Sequence, residues 1–117
     1  MEYERIILTL LSLIYFITDL HNIKIGYTKN SVKKRLKQLQ TSCSEQLYIL
    51  GWIDGDLETE SFLHKKFSNS RIRYNGEWFR PTEDLISYIN EHNRQEHIHV
   101  IYEDGIVMPY FSINTIK

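Results

Sequence analysis

The chain has 117 residues, of which 42 % are hydrophobic and 25 % charged, an ordinary make-up for one soluble globular domain with a single core. Cys43 is the only cysteine, which excludes an internal disulfide and a cysteine-based zinc site, so the expected setting is a reducing intracellular compartment. The net charge of −1 hides a segregation: six Lys or Arg and no acid lie between Lys24 and Ser44, and four acids and no base between Asp54 and Glu60, so a local basic face is compatible with a near-neutral chain.

In chain order, Met1 to Arg5 hold two acids and one base, the wrong balance for a signal-peptide start. The apolar run from Leu8 to Ile17 is too short to span a bilayer and reads as core. Residues 4–11 fit a short helix or a leading strand equally well. "LIYFIT" (13–18) reads as a buried strand and "IKIGYT" (23–28) as its hairpin partner across a short polar turn. Gly26 inside the second strand signals that something approaches the backbone there.

Ser31 is an N-cap for the helix "VKKRLKQLQ", where Val32, Leu36 and Leu39 form one stripe and Lys33, Lys34 and Lys37 the opposite face. Arg35 lies roughly 60–70° from the middle of that stripe, at the boundary. "QLYILGWI" (46–53) reads as a third strand. Asp56 caps the helix "LETESFLHKKF" (57–67), whose inner face is defined by Leu57, Leu63 and Phe67 and also contains Glu60 and His64, while Glu58 points away. A carboxylate on a buried helical face is costly unless it is paired or binds a cation. "SNSRIRYNGEWFRP" reads as a polar loop carrying aromatics, Thr82 as the cap of the helix "EDLISYINEH", and residues 97–111 as a hairpin turning at Glu103-Asp104-Gly105. The expected fold is α+β: a small three-stranded antiparallel sheet flanked by helices, with a C-terminal β-hairpin.

Several residues depart from bland packing: Tyr15, Lys24, Tyr27, Arg35, Glu60 and His64. Together they offer phenol, ammonium, guanidinium and carboxylate, the kit that phosphodiester hydrolysis requires. The motifs "LIY" (13–15), "KIG" (24–26), an arginine nine residues after Gly26, "ETESFLHKKF" with its Glu60-x-x-Leu63-His64 segment, and "NGEWF" (75–79) occur in order. Over about residues 13–90 the arrangement resembles the GIY-YIG nuclease superfamily, in particular its T5orf172/MUG113-like branch associated with phages and viruses.

The resemblance implies a divalent-metal-dependent DNA endonuclease, of a mobile element, phage or virus. It implies one Mg²⁺ (or Mn²⁺) ion bound by Glu60, with Tyr15 as general base or water-orienting group and Arg35 stabilising the phosphorane-like transition state. Lys24 stands where the superfamily has tyrosine, so that residue's role is altered or moved to Tyr27. Leu39 replaces a His or Tyr of many relatives, which leaves His64 as a substitute, and Leu13 replaces the first glycine of the motif. Gly26 is expected to admit the scissile phosphate, Lys24 to meet its charge, and Lys29, Lys33, Lys34 and Lys37 to track the flanking backbone. Asn75 is a candidate for the superfamily's late asparagine.

Tyr15, Arg35 and Glu60 are expected to line one concave surface. The plainer readings are a core aromatic for Tyr15, a solvated face for the lysines, a satisfied core histidine for His64 and an ion pair with Arg35 for Glu60. The expected organisation is a nuclease domain at 1–92 with a hairpin extension at 93–117 packed on it. DNA is the expected partner, RNA is not excluded, no membrane is involved, and monomer and homodimer both stay open. The competing function class is a non-catalytic nucleic-acid-binding or interaction module that keeps the fold.

Overall fold

The computed structural model describes residues 12–72, 76–94 and 97–111. Residues 4–11 and Asn75, both given readings from sequence, lie outside them. Strand β1 (Leu13–Thr18) and strand β2 (Ile23–Thr28) form the expected antiparallel hairpin, pairing Leu13 with Thr28 through to Thr18 with Ile23. The turn between them is closed by short polar side chains. The Asp19 carboxylate accepts from the N–H groups of His21 and Asn22, and the Thr18 hydroxyl donates to the Asn22 carbonyl.

Helix α1 (Val32–Gln40) starts at Ser31, whose hydroxyl accepts the Lys34 N–H. Strand β3 (Tyr48–Asp54) adds to β1 antiparallel. Helix α2 (Leu57–Lys66) opens with a capping box in which Asp56 and Thr59 exchange hydrogen bonds. A 3₁₀ turn at Ser68–Ser70 leads to strand β4 (Trp78–Phe79), and helix α3 (Glu83–His92) follows. The C-terminal hairpin joins strand β5 (Ile98–Glu103) to strand β6 (Ile106–Phe111). Asp104 and Gly105 take φ of 54° and 79°, the two left-handed residues that a tight primed turn demands.

The sheet has four strands in the order β3-β1-β2-β4, one more than expected. The extra strand comes from the segment read as a loop. Trp78 and Phe79 pair with Lys24 and Ile23, and Arg71 forms a further bridge to Phe79. Two residues are too few for an alternating pattern to register, so this strand is set by its partner rather than by its own sequence.

Alternation along β1 and β2 divides the core in two. Ile14, Phe16, Ile23 and Ile25 pack with Leu63, Phe67, Phe79, Leu85, Ile89, Val100 and Val107. Tyr15 and Ile17 turn to the other face and pack with Val32, Leu47, Leu36, Leu39 and Trp52. Helix α1 thus covers one face, and α2, α3 and the hairpin cover the other. Leu57 does not belong to the inner face of α2: it is 60 % exposed. Leu63 and Phe67 carry that face. Among the described residues no helix is long and apolar enough to cross a membrane.

Candidate functional site

The candidate site forms along β2, where β4 stops pairing. Only Ile23 and Lys24 have partners in β4, so the backbone from Ile25 to Thr28 faces an open edge. Unpaired N–H and C=O groups at a half-buried edge must find partners. They find them in side chains and in one neighbouring carbonyl. The Ile25 N–H donates to the Glu77 carbonyl at 3.1 Å. The Ile25 carbonyl accepts from His64 Nε2 at 3.0 Å. The Tyr27 N–H lies near enough to the Glu60 carboxylate to favour its ionised form.

The same stretch receives Tyr15 from the opposite face. Tyr15 stands across from Gly26 in the β1–β2 register, and the phenol end of its ring lies over that glycine. A methyl carbon built on Gly26 would fall 2.2 Å from both Cζ and Oη of Tyr15. The group that needs the glycine is therefore the protein's own phenol, where the sequence suggested a phosphate. Gly26→Ala is expected to lower stability by about 1–3 kcal/mol, the usual cost of forcing a methyl into packed space. Urea denaturation measures it, and an unchanged midpoint would mean that the ring does not rest there.

Three consecutive residues of β2 thus lie beside candidate side chains: Ile25 beside His64 and Tyr27 beside Glu60 on one face, and Gly26 beside Tyr15 on the other. Lys24 completes the group. Its ammonium lies 2.7 Å from Glu77 Oε2 and 5.7 Å from the Trp78 ring centroid, with a side chain only 13 % exposed. Glu77 is the residue that sequence reasoning missed. It was in view within "NGEWF", but it lies 53 positions from Lys24, and no local pattern links the two.

The electrostatics of Glu60 are unusual for a part-exposed carboxylate. Its pKa is pushed up from the ordinary glutamate value, first by burial and then by the charge of Glu77, partly offset by His64, Lys24 and the Tyr27 N–H. The Ile25 carbonyl can only accept, so His64 Nε2 carries a hydrogen in that bond and Nδ1 is the nitrogen left for chemistry. The His64 ring also packs against Phe79 at 5.2 Å between centroids, which fixes its orientation. Glu58 is exposed, as the helical count required.

Two candidates sit apart from this group. Tyr27 puts its side chain on the face opposite Tyr15, with its hydroxyl 3.5 Å from Ser12 Oγ. What reaches the edge from this residue is its backbone N–H, a consequence of the two-residue period of a strand. Arg35 lies on α1, so it and Glu60 belong to helices on opposite faces, where one concave surface had been expected for both. Its Nη1 donates to Gln38 Oε1 at 3.1 Å, and its Nε is shielded from solvent without a partner among the described residues. No contact between Glu60 and Arg35 is formed among the described residues, so the structural ion pair is not how Glu60 is satisfied. Lys29, Lys33, Lys34 and Lys37 are all exposed, the last three along α1.

A divalent cation fits this donor set. Glu60 offers hard carboxylate oxygen at a part-open edge, and the pressure on its ionised form is the kind a nearby cation relieves. No group of three or more His, Cys, Asp or Glu side chains converges among the described residues, which disfavours a closed structural zinc site. It suits an ion that keeps waters and shares substrate oxygens.

The T5orf172 domain profile matches residues 12–99, a span that includes every element of the candidate site. The chain belongs to the T5orf172 domain family. This is a GIY-YIG-like, nuclease-associated family, as the motifs implied, and it places the chain among nuclease-like modules that interact with nucleic acid. No curated protein and no solved structure matches the chain.

Proposed function

We propose that this T5orf172 domain is a divalent-metal-dependent endonuclease that hydrolyses phosphodiester bonds in DNA. The observation that carries the reading is that His64 and Glu60 reach β2 at Ile25 and Tyr27 from one face while Tyr15 stands over Gly26 from the other, with Lys24 one residue before. Glu60 would hold one Mg²⁺ or Mn²⁺ ion, which when bound polarises a phosphoryl oxygen and eases the deprotonation of water.

The chain's own residues supply the rest. The Tyr15 hydroxyl, braced over Gly26, orients the attacking water. A neutral phenol is a weak base, so its part is positioning more than proton abstraction. His64, with Nε2 committed to the Ile25 carbonyl, offers Nδ1 as the proton acceptor of this edge cluster. Arg35 can hold two phosphate oxygens at once, and its guanidinium stays charged throughout. Lys24 meets the charge of the phosphate while its pairing with Glu77 keeps it at the edge of β2.

Exposed Lys29, Lys33, Lys34 and Lys37 follow the flanking backbone. Neutralising Lys33, Lys34 and Lys37 together is expected to weaken DNA binding and flatten the slope of log affinity against log salt by about 2–3, since each phosphate contact releases close to one counterion. Fluorescence anisotropy across a salt series measures this, and a slope equal to the wild type would make the lysines a solvated face.

The deciding test of the activity offers supercoiled, single-stranded and branched DNA to the purified protein with Mg²⁺, with Mn²⁺ and with EDTA. Cleavage that requires the metal supports the reading. Salt-sensitive binding with no cleavage of any form, RNA included, would make the protein a binding module that keeps the fold.

A further inference from the structure

The candidate site holds one charged group without a role in this chemistry: Glu77. Three contacts fix its place. Its carbonyl accepts the Ile25 N–H, its Oε2 takes the Lys24 ammonium, and the carbonyl of the preceding Gly76 accepts from Arg71 Nε. Arg71 in turn lies over the Phe79 ring, 5.9 Å from its centroid. Glu77 is thus a built feature of the sheet edge and not a loose surface acid.

Glu60 occupies the next position along the same edge. Ile25 takes the backbone carbonyl of Glu77 on its N–H and His64 Nε2 on its carbonyl, and Glu60 precedes His64 by one turn of α2 on the same helical face. Both acidic residues are thereby brought to one stretch of β2, and the charge of Glu77 acts on Glu60. Glu77 uses one carboxylate oxygen for Lys24, and its Oε1 has no partner among the described residues. Its side chain is 41 % exposed against 13 % for Lys24, so the open oxygen is reachable from solvent.

We propose that Glu77 is a second carboxylate ligand of the divalent cation assigned to Glu60, held ready at the edge of β2 by its pairing with Lys24. The inference rests on the metal-dependent reading of Glu60. Two carboxylates, several waters and substrate oxygens make up the usual coordination of a catalytic Mg²⁺ ion. The Lys24 ammonium, 2.7 Å from Oε2, offsets part of the repulsion between the two acids before a cation arrives.

Mn²⁺ binding to the full chain without nucleic acid tests the idea, read by electron paramagnetic resonance of the free ion. Glu60→Gln is expected to abolish binding, Glu77→Gln to weaken it by about tenfold or more, and Glu58→Gln to leave it unchanged. Glu77→Gln strands a nearly buried ammonium and can damage folding. The Lys24→Gln/Glu77→Gln variant, compared with Lys24→Gln alone, removes that complication and separates the two possible roles. If Glu77 is a ligand, the same loss persists without Lys24. If Glu77→Gln binds Mn²⁺ as wild type does, or if the loss disappears in the Lys24→Gln background, Glu77 acts only by holding Lys24 and the proposal is overturned. Wild-type protein that binds no Mn²⁺, or binds it regardless of Glu60, would overturn the reading of Glu60 and this proposal together.

Discussion

Glu60→Gln is expected to lower Mg²⁺-dependent DNA cleavage by about 10²-fold or more while DNA affinity stays within about twofold. The substitution keeps the shape of the side chain and removes the charge that would hold the cation. The lysines of α1 that would carry binding are untouched. The same change has a second, opposite consequence. Burial and Glu77 push the folded-state pKa of Glu60 above its ordinary value, so the folded protein takes up this proton more readily than the unfolded chain does. Such a group contributes stability below its unfolded pKa and loses that contribution as pH rises through the folded value. At neutral pH without metal, ionised Glu60 therefore costs stability, and Glu60→Gln should melt above wild type in EDTA. The gap should close as the pH falls below the ordinary glutamate range, and shrink when Mn²⁺ is added. Scanning calorimetry at several pH values reads the stability arm. Cleavage by Glu60→Gln at the wild-type rate would show that the glutamate is structural.

Arg35→Ala is expected to reduce cleavage by about 10²–10³-fold, mainly in the rate at saturating DNA. Negative charge collects on the phosphoryl oxygens as the nucleophile adds, and a guanidinium already in place stabilises it without reorganisation. Gln38 braces Nη1 of Arg35, which holds the guanidinium at the edge of α1. Arg35→Lys should recover only a fraction of the activity, because an ammonium cannot form the two-pronged contact. Single-turnover kinetics separate this effect from binding. A loss confined to affinity would move Arg35 from the transition state to the docking surface. Because α1 and α2 cover opposite faces, Arg35 and Glu60 can act on one phosphate only if the substrate straddles the β2 edge, a requirement that these variants test together.

Much of this molecule is legible from local pattern. The β1–β2 hairpin, the helix capped by Ser31, the helix capped by Asp56 and the C-terminal hairpin with its Asp104-Gly105 turn all rest on signals contained within a few residues. Caps, turns and periodicities are short-range physics, and the structure follows them. The family too is carried by motifs whose order survives in one dimension. The inward placement of Glu60 and the outward placement of Glu58 needed only a helical count.

Tertiary structure alone decided how these parts meet. Strand β4 is two residues long and exists because β2 offers it an edge. Its early end leaves the backbone of Ile25 and Tyr27 without a strand partner on that side, and His64 and Glu60 come to lie beside it. Leu57 has a core residue's identity but an exposed position. The ring over Gly26 depends on which residue of β1 stands opposite, a matter of register rather than of the glycine. The pairing of Lys24 with Glu77 joins residues 53 positions apart, a contact that costs nothing in local propensity and therefore leaves no local trace. Sequence determined which groups were available and the elements that carry them. The edge of one strand, and the need to satisfy its backbone, determined which of them became neighbours.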